Sequence, residues 1–124
     1  MWIKANPNPG GKEVSDCVVR AICIALNQPW LQTYDEICEV GRQDYNMPSD
    51  NRVWGRYLYM KGFEPFLLPS NCPSCITVFE FTKYYPYGIY IVGTGDHAVA
   101  IMNGDYFDSW DSGNEVLSFF WRIR

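Results

Sequence analysis

The sequence predicts an α+β domain in which a buried N-terminal helix packs on a C-terminal antiparallel sheet, and three observations carry that prediction. The segment CVVRAICIAL (17–26) is apolar at nine of ten positions, so a helix there offers water no polar face and belongs inside a core. The last third is dense in β-branched and aromatic residues: YGIYIV (87–92), HAVAIM (97–102), DYFDSW (105–110) and EVLSFFW (115–121) all read as strands. Between the middle two stands Asn103-Gly104, the strongest hairpin signal in the chain. Helices first and a meander of strands last define the class.

The elements follow in order. Residues 1–15 read as an irregular lead-in rich in Pro and Gly. Ser15 or Asp16 then caps the first helix, which runs to about Asn27. Arg20 interrupts its apolar body and must reach an acidic partner or the surface, because an unpaired buried charge is costly. Pro29 ends this helix, and Thr33 with Glu36 reads as a capping box for a second one that ends near Gly41. A third helix follows Ser49 and stops at Gly62, with Val53, Trp54, Tyr57 and Leu58 on one face. FEPFLL (63–68) reads as a short strand. Thr77 and Glu80 form another capping box, opening a helix that Pro86 stops.

A chain of 124 residues, 48% hydrophobic and 17% aromatic, fills one core, so residues 1–124 are expected to form a single domain. The net charge is -4, and the ten Lys and Arg residues form no run. Nucleic acid, which needs a basic stripe, is therefore not an expected partner. The dense apolar run 17–26 is too short to span a bilayer, and no signal-peptide pattern follows Met1. Five cysteines, an odd number in no scaffold spacing, point to a reducing cytosol. Neither membrane nor secretion is expected, and the expected compartment is cytoplasmic.

Cys17 is the first candidate for chemistry. It falls in the first turn of the central helix, where unpaired N–H groups and the dipole favour a thiolate. A free thiol ionises at about pH 8.5, so a nucleophilic Cys needs that help. His97 is the only histidine, so any imidazole base is this residue. The hairpin then selects its partner. A two-residue Asn103-Gly104 turn sets Met102 opposite Asp105, Val99 opposite Asp108 and His97 opposite Trp110. Asp108 becomes the diagonal neighbour of His97 on one face, about 7–8 Å away along the backbone. Asp96, Asp105 and Asp111 point to the other face. A nucleophile, a base and an acid that orients the base are the three roles of nucleophilic acyl transfer.

Two further patterns are set aside. Cys72-Pro-Ser-Cys75 has the spacing of half a zinc site, but the remaining ligands would come from Cys23, Cys38, Cys17 or His97. It reads as a loop with two thiols. Gly93-Thr-Gly95 lacks the Lys and helix of a phosphate loop and reads as a turn. No metal and no organic cofactor is expected.

The order of Cys on a central helix, His on a strand, then Asp108-Ser109-Trp110 where relatives carry Asn-Ser-Trp, resembles papain-like cysteine peptidases. SDCVVRAI is similar to the nucleophile motif of ovarian-tumour-type deubiquitinases and to the start of bacteriocin-processing peptidases. NPNPGGKEVSDCVVRAI, MPSDNRVWG and YFDSWDSGNE are similar to small uncharacterised proteins of Firmicutes and their phages, over nearly the whole chain. The resemblance implies a papain-like fold and a thiol hydrolase acting on a peptide, isopeptide or other amide. At the position of the family's oxyanion-hole Gln this chain has Gly11. Asn8, Asn6 or the Cys17 backbone N–H alone would then serve, and Asn8 is preferred. A non-catalytic binding protein on the same scaffold, phage-encoded and acting on a host protein, is the alternative expectation.

Overall fold

The computed structural model describes residues 1–69 and 71–123. It is an α+β structure with ten elements: β1 (Trp2–Lys4), α1 (Cys17–Leu26), α2 (Trp30–Asp44), α3 (Asn51–Met60), β2 (Phe63–Leu67), α4 (Val78–Tyr84), β3 (Ile89–Gly93), β4 (Ala98–Met102), β5 (Asp105–Asp108) and β6 (Phe119–Ile123). Six strands form one sheet in the order β1-β5-β4-β3-β6-β2. Among the described residues, no helix is long and apolar enough to cross a membrane.

The Asn103-Gly104 hairpin forms in the expected register, with Met102 opposite Asp105 and Ala100 opposite Phe107. Both turn residues take positive φ, 50° and 84°, which Asn and Gly tolerate best. The sheet itself departs from expectation in two ways. It is mixed rather than antiparallel, because Trp2–Lys4 pairs in parallel with Tyr106–Asp108. Three residues ahead of an Asn- and Pro-rich stretch carry too little periodicity to announce a strand, and the pairing is tertiary. The last strand is also no continuation of the meander. It begins at Phe119 and inserts between β3 and β2, while the preceding Val116 only bridges to Thr77.

Two helix starts move as well. α2 opens at Trp30 after Pro29, whose φ of -59° and ψ of 147° suit the entry to a helix. Thr33 lies inside this helix, with its hydroxyl on the Pro29 carbonyl at 3.0 Å. Glu36 accepts instead from the Tyr57 hydroxyl at 2.5 Å. Both residues of the expected capping box are thus committed elsewhere, and the helix continues past Gly41 to Asp44. At α3 the cap is Asp50, which accepts from the Arg52 N–H, rather than Ser49. The box at α4 is formed in both directions, Thr77 to the Glu80 N–H and Glu80 to the Thr77 N–H. Thr77→Ala is therefore expected to cost about 1 kcal/mol, read as a lower urea midpoint with an unchanged slope.

The sheet has a core on each face. On one, Ile91, Ala98 and Ala100 meet Ala21, Ile22 and Ala25 of α1, backed by Ile37 of α2 and Trp54 and Leu58 of α3. On the other, Tyr90, Val92, Val99 and Ile101 meet Val78 and Phe81 of α4. No residue of α1 is exposed, which is what its all-round apolar pattern requires. The CxxC loop is corrected: Cys72 and Cys75 form a disulfide rather than two thiols. Cys17, Cys23 and Cys38 are free.

Candidate active site

Cys17 is the first residue of α1. The first bond of the helix runs from the Arg20 N–H to the Asp16 carbonyl, 2.9 Å, so the N–H groups of Cys17, Val18 and Val19 lack intrahelical acceptors. The sulfur is half-buried. Burial pushes the thiol up, but a hydrogen bond with His97, the Ala98 N–H and the charges of His97 and Arg20 outweigh it. The net effect is an ionisation below the ordinary thiol range.

His97 stands immediately before β4, at the end of the turn Thr94–His97. That turn is closed by Thr94 N–H on the His97 carbonyl, 2.9 Å, and by His97 N–H on the Thr94 hydroxyl, 3.1 Å. The ring Nε2 lies 2.6 Å from Asp108 Oδ2. This leaves Nδ1 free to face Cys17, which lines the same cleft. Burial lowers the imidazole, yet the bonds and charges of Asp108 and Cys17 raise it to about 9. A lowered thiol beside a raised imidazole favours a thiolate–imidazolium pair. The Trp110 ring flanks the imidazole at 5.1 Å between centroids.

Asp108, the last residue of β5, is 4% exposed. Its Oδ2 also accepts from the Ser112 hydroxyl at 2.7 Å and its Oδ1 from the Ser109 N–H at 2.8 Å. Parity along the hairpin assigned it to the face of Val99 and Ile101, whereas Cys17 belongs to a helix on the opposite face. The pairs between β4 and β5 stop at Ala100 and Phe107. His97 and Asp108 therefore lie beyond the last paired rung, where side chains reach the N-terminus of α1. The other acids serve elsewhere. Asp111 binds the Tyr106 hydroxyl, Asp105 pairs with the Met1 amine at 3.5 Å, and Asp96 accepts from the Thr94 hydroxyl at 3.2 Å.

Arg20 finds two acidic partners. Its guanidinium pairs with Asp16 one turn earlier and lies 3.7 Å from Asp108 Oδ1. Asp16 further accepts from Trp30 Nε1 at 3.0 Å and from Asn8 Nδ2 at 3.2 Å. A buried polar chain thus runs from the residue before the thiol to the carboxylate behind the imidazole. Asp16, Trp30 and Ser112 were not anticipated as site residues. The i to i+4 spacing of Asp16 and Arg20 is a signal for Asp16 alone, whereas Trp30 and Ser112 join only through tertiary contacts.

Asn8 is not brought to the thiol. Its amide is on Asp16, its Oδ1 accepts from the Gly10 N–H at 2.8 Å, and it does not line the cleft at Cys17. Asn6 is likewise held by the lead-in, with its amide on the Lys12 carbonyl at 3.1 Å. The donor left beside the sulfur is the Cys17 N–H itself. Cys17 and His97 open into a cleft of about 570 Å³ walled by Val18, Trp30, Tyr34, Trp54 and Phe119, within the range of small-ligand and peptide sites.

No protein-family model matches the chain, and comparison with curated proteins and with solved structures gives no match.

Proposed function

We propose that this chain is a papain-like cysteine hydrolase that acts on a peptide, isopeptide or other amide through Cys17, His97 and Asp108. One observation carries the reading: the single imidazole is held on a buried carboxylate through Nε2 and lines the same cleft as the helix-terminal Cys17. The Cys17 thiolate attacks the substrate carbonyl carbon, forming a C–S bond, and the oxyanion meets the Cys17 N–H. His97 gives its proton to the leaving amine as the C–N bond breaks, and a thioester remains. Water then attacks with His97 accepting its proton, the carboxylic acid departs and the thiolate returns. Asp108 keeps the ring oriented and favours its charged form. No cofactor enters these steps. The proposed setting is cytoplasmic.

A second reading, a non-catalytic papain-fold binding protein, is favoured by one observation. Asn6 and Asn8 spend their amides on the Lys12 carbonyl and the Asp16 carboxylate, so the oxyanion has no side-chain donor from either. Alkylation of Cys17 by iodoacetamide against pH, mapped by peptide mass in the wild type and in His97→Ala, separates the two. An activated pair gives a Cys17 midpoint below the free-thiol value of about 8.5 that returns to it in the variant. A Cys17 that titrates like an ordinary thiol in both proteins removes the hydrolase reading.

A further inference from the structure

The cleft at Cys17 continues into a second lobe. That lobe, about 390 Å³, is walled by Pro65, Phe66, Leu67 and Trp121. Asn51, Trp54 and Phe119 line both lobes. Trp54 is almost fully buried, and the Phe119 ring lies 5.8 Å from it. Phe119 is half-buried and stands in the wall shared by the two lobes.

Its position has a specific cause. Phe119 is the register partner of Gly93 across the β3–β6 pair, and a Cβ on Gly93 would clash with the Phe119 ring. The ring lies flat across a strand position that any other residue would occupy. Gly93 thereby sets where the two lobes meet.

We propose that the two lobes take two bulky apolar side chains of one extended peptide acyl donor, and that Phe119 is the residue that sets their size and separation. This rests on the hydrolase reading. A peptide fits better than a hydrocarbon chain for two reasons. The space is divided by a ridge instead of forming one tunnel, and side chains on one face of an extended chain recur every ~7 Å. Ser49, Asn51 and Thr94 also stand among the apolar walls, where backbone amides need partners. Charge narrows the class further. The lining brings no Lys or Arg; Asp16 is paired with Arg20, His97 is engaged by Asp108, and Asp96 adds a negative charge, so acidic side chains find repulsion and no free counter-ion.

Tripeptidyl chloromethyl ketones with Phe, Ala or Glu at each position test the assignment. The Cys17 sulfur displaces chloride from the reagent as the S–C bond forms. Each rate is divided by the same protein's iodoacetamide rate. Two positions are expected to favour Phe over Ala by roughly tenfold or more, with Glu poorest. In Phe119→Ala the Phe preference is expected to fall at one or both of them. Leu67, 90% exposed at the far end of the second lobe, can be changed without disturbing the core. In Leu67→Glu, a Lys-bearing probe is expected to gain on the Phe probe at one position. Equal rates for Phe, Ala and Glu in a protein whose Cys17 reacts with iodoacetamide below the free-thiol range overturn the subsite proposal and leave the hydrolase reading intact. Unchanged preferences in both variants overturn the assignment of the lobes. A Cys17 without activation toward either reagent removes the hydrolase reading, and this proposal falls with it.

Discussion

Arg20→Met is expected to lower the unfolding free energy by roughly 3–5 kcal/mol, the largest loss for any single replacement discussed for this chain. The guanidinium is 8% exposed and stands between Asp16 and Asp108, whose side chains are 7% and 2% exposed. Met fills most of the volume but leaves the buried Asp16 without its cation and Asp108 with His97 alone. The desolvation of Asp16 is then offset only by the neutral donors Trp30 and Asn8, while Asp108 keeps His97, Ser109 and Ser112. The loss is expected to be partly restored in Arg20→Met/Asp16→Asn, because the stranded Asp16 charge is gone. Urea unfolding of the four proteins in this cycle measures the coupling. A loss under about 1 kcal/mol, the range of exposed ion pairs, would mean that water reaches the guanidinium.

The second large effect is on charge at the site. Asp108→Asn removes the carboxylate that holds the imidazole up, while the burial that lowers it remains. Because His97 is the only histidine, its ring protons can be followed by NMR without assignment. The midpoint is expected near 9 in the wild type and well below that in the variant. Without imidazolium at neutral pH, the thiol loses its counter-ion and its alkylation midpoint moves up. The rate at pH 7 then falls by about tenfold for each unit of that movement.

Stability follows with a definite sign. A His raised from 6.5 to about 9 contributes stability that is complete below pH 6.5 and is lost as pH rises toward 9. The lowered Cys17 contributes in the opposite sense, above its own unfolded value, and loses that as pH falls. The ion pair is therefore best held between the two folded values. In Cys17→Ser, which removes the thiolate, urea midpoints are expected to decline from pH 6 to pH 9.5. A flat profile across the His97 NMR midpoint measured in that same variant would contradict the linkage.

Much of this site could be read from local sequence, and the reasons are specific. Asn103-Gly104 fixed a register, and the register singled out Asp108 among four nearby acids. What parity could not reveal was that the ladder ends before either residue, so that the pair faces α1 instead of α4. Arg20 announced that it needed an acid, but the identity of the acid depended on tertiary packing. Local patterns misled where a stronger demand used the same atoms. Thr33 and Glu36 looked like a cap, yet the Pro29 carbonyl and the Tyr57 hydroxyl claimed them. Trp2–Lys4 gave no signal because a three-residue parallel edge takes its stability entirely from its partner.

The parallel pairing of β1 with β5, noted above as a departure in topology, has a kinetic consequence. Its two halves lie about a hundred residues apart, and Cys17 is separated from His97 and Asp108 by nearly as much. Contacts of such high sequence separation form late, after the entropy of closing a long loop has been met. On the ribosome, a chain that has emerged only as far as β3 carries Cys17 but neither of its partners. Under the proposed reading, Cys17 meets its partners only once β5 is in place, so a stalled chain carries an ordinary thiol there.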